Sequence, residues 1–129
     1  MGADGALQIA LNYPEVFGVV GAHSPVLRPY EIAAPFFGDR QYFESHSPVT
    51  LVQQKTSIAR DLIIMLDVGD ADEWLGNAEA FHLELNALGI AHEWHRWSGG
   101  HDSEYWAAHI PDDLRFYGSA LAANAQEPR

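Results

Sequence analysis

The feature that most constrains the fold is the run Leu-Ile-Ile-Met-Leu-Asp-Val at residues 62–68, which is apolar at every position except Asp67. A run of this kind without alternation is typical of a strand that is buried on both faces of a sheet. A shorter apolar run at residues 17–22 and the aromatic segment at residues 90–97 predict two more strands. Helical patterns separate and follow them, at residues 6–12, 48–54, 73–88 and 103–123. Strands that alternate with helices predict an α/β fold with a parallel sheet of about three strands, flanked by helices.

Composition excludes several classes of protein. The 129 residues carry 7 basic and 18 acidic side chains, a net charge of −11, which argues against partners such as nucleic acid or an anionic membrane surface. The chain has no cysteine, and therefore no disulfide, thiolate nucleophile or cysteine zinc site. It lacks the run of about 18 apolar residues that a membrane span requires. We therefore expect one globular domain or part of one, and the composition leaves the compartment open.

The first residues do not read like an ordinary domain terminus. Met-Gly-Ala-Asp-Gly-Ala-Leu at residues 1–7 places a glycine-rich turn directly before an alanine-rich helix. This pattern is typical of the segment that follows the catalytic serine in a Gly-x-Ser-x-Gly nucleophile elbow. Under this interpretation Met1 follows the serine, Gly2 is the closing glycine, and the serine lies outside the chain.

Candidate catalytic side chains follow the predicted strands. In a parallel sheet, functional sites form beyond the carboxyl ends of the strands. Three loops are predicted there: His23-Ser24, residues 70–72 and residues 99–102. An acid and then a histidine, each just past a strand, fit the last two members of a Ser-Asp-His order.

These motifs together resemble the putative-esterase family of the α/β-hydrolase fold, which includes esterase D (S-formylglutathione hydrolase). The family pattern Met-Gly-Gly-x-Gly-Ala-Leu corresponds to residues 1–7, with Ala3 in place of a glycine. Pro-Glu-x-Phe follows at residues 14–17, Gly-x-x-Asp at residues 69–72, and Gly-Gly-His at residues 99–101 with Trp106 after it. The resemblance implies that residues 1–129 form the C-terminal portion of an α/β-hydrolase domain, without its N-terminal strands and its nucleophile.

The resemblance also implies site residues and an activity. His101 is the implied base, Asp72 the implied triad acid, and the backbone N–H of Met1 one half of the implied oxyanion hole. The implied function is hydrolysis of a small-molecule carboxylic ester, with no cofactor. Asp70 remains an alternative acid, although it could instead cap the helix that begins near Glu73.

Other candidate residues are weighed against simpler roles. Four aromatic side chains in the irregular, aromatic segment 25–46 line either the substrate pocket or the core: Tyr30, Phe36, Phe37 and Tyr42. Ser24 is disfavoured as a nucleophile because it lacks an elbow and because Pro25 after it has no N–H. His92 and His95, three apart on a predicted strand, point to opposite faces, so no metal site is expected.

Other functions stay open at this stage. The chain could be an inactive fragment or a binding module on a hydrolase scaffold, or a half whose nucleophile elbow comes from a separate polypeptide. Its parent could also be a thioesterase or an acyltransferase of the same fold. The strand at residues 17–22 would also have a bare apolar edge, which favours self-association. We expect the 129 residues alone to be inactive on simple esters.

Overall fold

The structure, a computed structural model, describes residues 1–33 and 37–126. The strands in this part of the chain are β1 (Val19–His23), β2 (Ile63–Gly69) and β3 (Glu93–Trp97). The helices are α1 (Gly2–Asn12), α2 (Tyr30–Ala33), α3 (Arg40–His46), α4 (Pro48–Gln54), α5 (Thr56–Asp61), α6 (Leu75–Ala87) and α7 (Ser103–Asn124). None of these helices combines the length and the apolar character needed to cross a bilayer.

The sheet is parallel, with the strands in the order β1-β2-β3. This confirms the predicted α/β class and strand number. The central strand β2 is buried on both faces, which explains why its apolar residues do not alternate with polar ones. Leu66 on one face belongs to the larger core, with Leu7, Leu51 and Phe81 from the helices α1, α4 and α6. Met65 on the other face packs against Phe116 and Ala120 of α7.

The segment predicted to be irregular, residues 25–46, contains the short helices α2 and α3. Asp39 begins α3 by accepting a hydrogen bond from the backbone N–H of Tyr42 at 2.8 Å. Helix α5 also has no counterpart in the predicted elements. Helices this short have weak periodicity, because a stretch of four to seven residues spans at most two turns.

The register of the strands fixes where the functional loops meet. His23, the last residue of β1, lies beside Asp67 of β2, and Gly69, the last residue of β2, lies beside Trp97 of β3. The three loops predicted to carry functional residues therefore all begin at the carboxyl ends of the strands, on the same end of the sheet. Among the described residues, β1 pairs only with β2, so its other side is an edge of this sheet.

Candidate active site

The imidazole of His101 is held by the carboxylate of Asp72. His101 Nδ1 lies 2.9 Å from Asp72 Oδ2. The side chain of Asp72 is fully buried, whereas that of His101 is 31% exposed. No hydrogen bond within the described residues engages His101 Nε2, so this nitrogen is available to a reacting group. A base that is oriented through Nδ1 and free at Nε2 can take a proton from a hydroxyl nucleophile.

Asp72 is itself fixed by backbone hydrogen bonds. Its Oδ1 accepts a hydrogen bond from the N–H of Trp74 at 2.8 Å, just before α6, and its own N–H donates to the carbonyl of Gly69. The alternative acid, Asp70, has a different partner: its Oδ1 accepts from the N–H of Gly99 at 3.0 Å. Asp72, and not Asp70, is thus the acid in contact with the histidine and the one that bonds to the start of the helix.

The loops that carry the acid and the base are joined backbone to backbone. The N–H of Asp70 donates to the carbonyl of Trp97 at 2.7 Å, and the N–H of Ala71 donates to that of Gly99 at 2.8 Å. A Cβ on Gly69 would lie 2.2 Å from the carbonyl oxygen of Gly99, so only glycine permits this approach. Gly99 itself has a φ of +134°, which side chains disfavour. The sequence motifs Gly-x-x-Asp and Gly-Gly-His thus meet in one loop pair.

A cavity of about 660 Å³ opens in front of His101. Its wall includes the first residues of the chain, Met1, Gly2 and Ala3, together with Ser24 and Trp106. Met1, the implied oxyanion residue, therefore lies in the same cavity as the implied base. Ser24 Oγ accepts a hydrogen bond from the indole N–H of Trp106 and makes no hydrogen bond to His101.

The sequence profile of the family described as putative esterase matches residues 1–117. The chain belongs to the putative esterase family. This confirms the resemblance carried by the motifs at residues 1–7, 69–72 and 99–101.

Solved structures with the same fold include an S-formylglutathione hydrolase from Agrobacterium tumefaciens, 24% identical, with a TM-score of 0.78 over 93% of this chain and 46% of that one. A ferulic acid esterase is 24% identical, with a TM-score of 0.74 over 90% of this chain and 47% of that one. A fluorophosphonate-binding serine hydrolase of Staphylococcus aureus is 16% identical, with a TM-score of 0.74 over 89% and 50%. The chain therefore spans about half the length of these α/β-hydrolases.

A second, mainly apolar pocket of this esterase-family chain lies beside Met1. Its volume is about 240 Å³, and Leu27, Phe37, Tyr42 and Phe43 contribute to its wall. Two of the four predicted pocket residues, Phe37 and Tyr42, thus line a pocket next to the site. Tyr30 packs edge-on against Phe43, with ring centroids 5.5 Å apart, and Phe36 lies outside the described residues.

A polar cluster that sequence reasoning missed contributes to the wall of the cavity of about 660 Å³ through His23, Asp67 and Asp113. His23 Nδ1 lies 2.5 Å from Asp67 Oδ2 and 3.4 Å from Asp113 Oδ1, and His23 Nε2 lies 2.8 Å from the hydroxyl of Tyr117. Tyr105 donates its hydroxyl to the other oxygen of Asp67 at 2.8 Å. The signals in the sequence are His23 at the end of a predicted strand and the aspartate within the apolar run of β2.

The charges of this cluster favour a protonated His23. Burial opposes the imidazolium, but the hydrogen bond to Asp67 and the charges of Asp67 and Asp113 outweigh burial and raise the pKa of His23 above 6.5. The pKa of Asp113 is also raised, mainly by burial and despite the charge of His23. Its Oδ1 is buried and has no hydrogen-bond partner among the residues that the structure describes. Within the described residues His23, Asp67 and Asp113 are also the one group with the spacing of a metal site.

The two histidines considered as metal ligands in the sequence, His92 and His95, lie outside the cluster around His23. His92 precedes β3 and lies with its Nε2 2.7 Å from Nδ1 of His82, whereas His95 contacts Glu93 on the strand. The contact with His82 is compatible with two neutral rings, one donating and one accepting. Desolvation and the neighbouring His92 lower the pKa of His82 accordingly. His92 and His95 are not brought together.

Replacing Asp113 by asparagine is expected to lower the pKa of His23, because one of two carboxylates that favour the imidazolium is removed. A pKa that is raised by folding stabilises the native state below the unfolded value near 6.5, and this contribution is lost as the pH rises through the folded pKa. Histidine titration by NMR measures the shift, and Asp112→Asn, next along the helix, is the matched control. An unchanged His23 midpoint in Asp113→Asn would contradict this assignment.

Proposed function

We propose that this chain supplies the acid and the base of a serine carboxylic-ester hydrolase. The observation that carries the proposal is the contact between the buried Asp72 and Nδ1 of His101, with Nε2 open to a cavity lined by residues 1–3. The family and the shared fold support an esterase. The nucleophile in this proposal is a serine that precedes Met1 in the complete enzyme.

The proposed reaction follows from the two nitrogens of His101. The serine oxygen attacks the acyl carbon of the ester while Nε2 takes the hydroxyl proton. The imidazolium that forms is stabilised by Asp72 through Nδ1–H. The backbone N–H of Met1, in a peptide bond to the serine, is one donor to the tetrahedral oxyanion. His101 then returns the proton to the departing alcohol, and water releases the acyl group by the same steps.

The pocket beside Met1 is the proposed site for an apolar part of the ester. Its wall combines Leu27, Phe37, Tyr42 and Phe43, and its volume of about 240 Å³ suits a short acyl chain or a single ring. In this proposal Tyr30 supports Phe43 from behind and does not touch substrate.

The codons that precede Met1 provide the first test of the proposal. An intact esterase requires Gly-x-Ser in frame directly upstream, after an apolar strand. The protein that includes this segment is expected to hydrolyse p-nitrophenyl acetate, and His101→Gln is expected to abolish turnover. A stop codon or unrelated residues upstream would instead support an inactive fragment or a binding module.

The 129-residue chain alone is expected not to hydrolyse p-nitrophenyl acetate. Within the described residues no hydroxyl is hydrogen-bonded to His101, and Ser24 is followed by Pro25, which has no N–H for an oxyanion hole. Steady-state release of p-nitrophenol by the purified chain measures this. Turnover that disappears in His101→Ala would refute the expectation and move the nucleophile into this chain. Mixing the chain with the upstream segment tests whether two polypeptides complement each other.

A further inference from the structure

Ser24 has a backbone conformation that serine rarely adopts. It follows β1 directly and has a φ of 53°, in the left-handed region. A residue other than glycine pays roughly 1 kcal/mol or more for this conformation, and such residues cluster at functional sites. The residue is also buried, with 2% of its surface exposed, and its N–H donates to the carbonyl of Asp67 at 2.8 Å.

The side chain of Ser24 has one described partner, the indole of Trp106. Ser24 Oγ accepts a hydrogen bond from Trp106 Nε1 at 3.1 Å, across 82 residues of sequence. Trp106 is 39% exposed, so burial alone does not fix the indole. The ring of Trp106 stands nearly perpendicular to that of His101, at an angle of 82° and a centroid distance of 5.2 Å.

His101 needs a contact of this kind to be held in one orientation. The hydrogen bond from Nδ1 to Asp72 fixes one atom of the ring, and the ring can still pivot about that bond. The indole of Trp106 packs against the same ring and restricts this motion. Ser24 combines the positive φ with the hydrogen bond that its Oγ accepts from the indole N–H, so the strained backbone lies at the residue that contacts Trp106.

We propose that Ser24 is a positioning residue, which holds Trp106 against His101 so that the imidazole stays on Asp72 with Nε2 facing the cavity. This inference rests on the proposed function only for the role of His101 as the base. Ser24 acts through Trp106 and does not touch the reacting atoms. In this proposal Ser24 therefore positions Trp106 and is not the nucleophile.

The test measures how firmly the His101 ring is held in the 129-residue chain, without any substrate. The probe is the exchange of the His101 Nδ1 proton with water, followed by ¹⁵N NMR. Ser24→Gly removes the hydroxyl and tolerates the positive φ, whereas Trp106→Phe removes the indole N–H and leaves Ser24 in place. Each is expected to speed exchange about tenfold, the usual size of an effect from a supporting residue.

The double variant decides whether the two residues act as one unit. Exchange in Ser24→Gly/Trp106→Phe is expected to match that of the single variants, because both remove the same hydrogen bond. Trp94→Phe, a tryptophan substitution away from His101, is the matched control and is expected to leave exchange unchanged. Protection of the backbone amides of β2 verifies that each variant is folded. Unchanged exchange in Trp106→Phe, or additive effects in the double variant, would overturn the inference.

A separate readout distinguishes this inference from the proposed function. In the protein that includes the nucleophile segment, Ser24→Gly is expected to lower kcat about tenfold with KM unchanged, because ring orientation matters in the chemical step. A tenfold rise in KM at constant kcat would overturn the positioning role. If the wild-type protein hydrolyses no ester while the exchange of His101 still responds to Ser24→Gly, the proposed esterase function fails and the structural coupling stands.

Discussion

Asp72→Asn is expected to lower kcat/KM about 10⁴-fold in the proposed esterase, the protein that includes the nucleophile segment, because this is the loss typical of a triad acid replaced by its amide. The carboxylate accepts the Nδ1 proton of His101 at 2.9 Å from a fully buried position. An asparagine that offers its NH₂ group to Nδ1 would select the wrong tautomer and leave Nε2 protonated. Hydrolysis of p-nitrophenyl acetate at several pH values measures this effect.

Asp70→Asn is the matched control for this substitution. It changes the same chemical group two residues away, in the same loop. Its partner is the N–H of Gly99, and an asparagine Oδ1 can still accept that hydrogen bond. We expect less than about a tenfold loss of kcat/KM, in the range of a supporting contact. The opposite ranking, with Asp70→Asn the more severe, would show that Asp70 is the acid.

Gly69→Ala is expected to destabilise the fold by about 3 kcal/mol, at the upper end of the effects of overpacking. The added Cβ would lie 2.2 Å from the carbonyl oxygen of Gly99 and 2.7 Å from its carbonyl carbon, both rigid backbone atoms. The loops can only separate, and the hydrogen bond between Ala71 and Gly99 is lost with their contact. Urea unfolding monitored by circular dichroism measures the change in free energy.

Gly118→Ala, in the interior of α7, is the control for this second prediction. An added Cβ there meets no atom within 4 Å, and alanine is the better helix former by about 1 kcal/mol. The same change of residue is thus expected to stabilise the protein at one site and to destabilise it at the other. Equal unfolding free energies for the two variants would contradict the close approach of the two loops.

The fold was predictable where burial leaves a pattern in the sequence. The run at residues 62–68 predicted a strand because both of its faces are buried, and the helical pattern at residues 48–54 corresponds to α4, which has Pro48 in its first turn. The helices α3 and α5 were missed because seven and six residues give too little periodicity. The strand β3 was expected from residue 90, but pairing with β2 begins only at Glu93. Ile90 is buried without belonging to the ladder, so its apolar character alone was misleading.

The site was predictable only as far as local motifs reach. The glycine motifs and the order of the strands predicted Asp72 and His101 as site residues. Their side chains do meet, with Asp72 Oδ2 at 2.9 Å from His101 Nδ1. The cluster around His23 could not be predicted, since Tyr117 lies 94 residues along the chain from it. The contact between Ser24 and Trp106 could not be predicted for the same reason. It depends on how α7 packs over the end of β1, and no local sequence pattern contains that information.

The loops that carry Asp72 and His101 are separate from the segment that forms much of the pocket beside Met1, so the two can vary independently in sequence. The acid and base loops are joined to each other by backbone hydrogen bonds, whereas the pocket beside Met1 takes much of its wall from the segment between β1 and α4. Substitutions at Leu27, Phe37 or Tyr42 are therefore expected to leave the contact between Asp72 and His101 intact. If the proposed esterase function holds, selection or a directed-evolution library confined to that segment is expected to change which ester is accepted and to leave the contact between Asp72 and His101 in place.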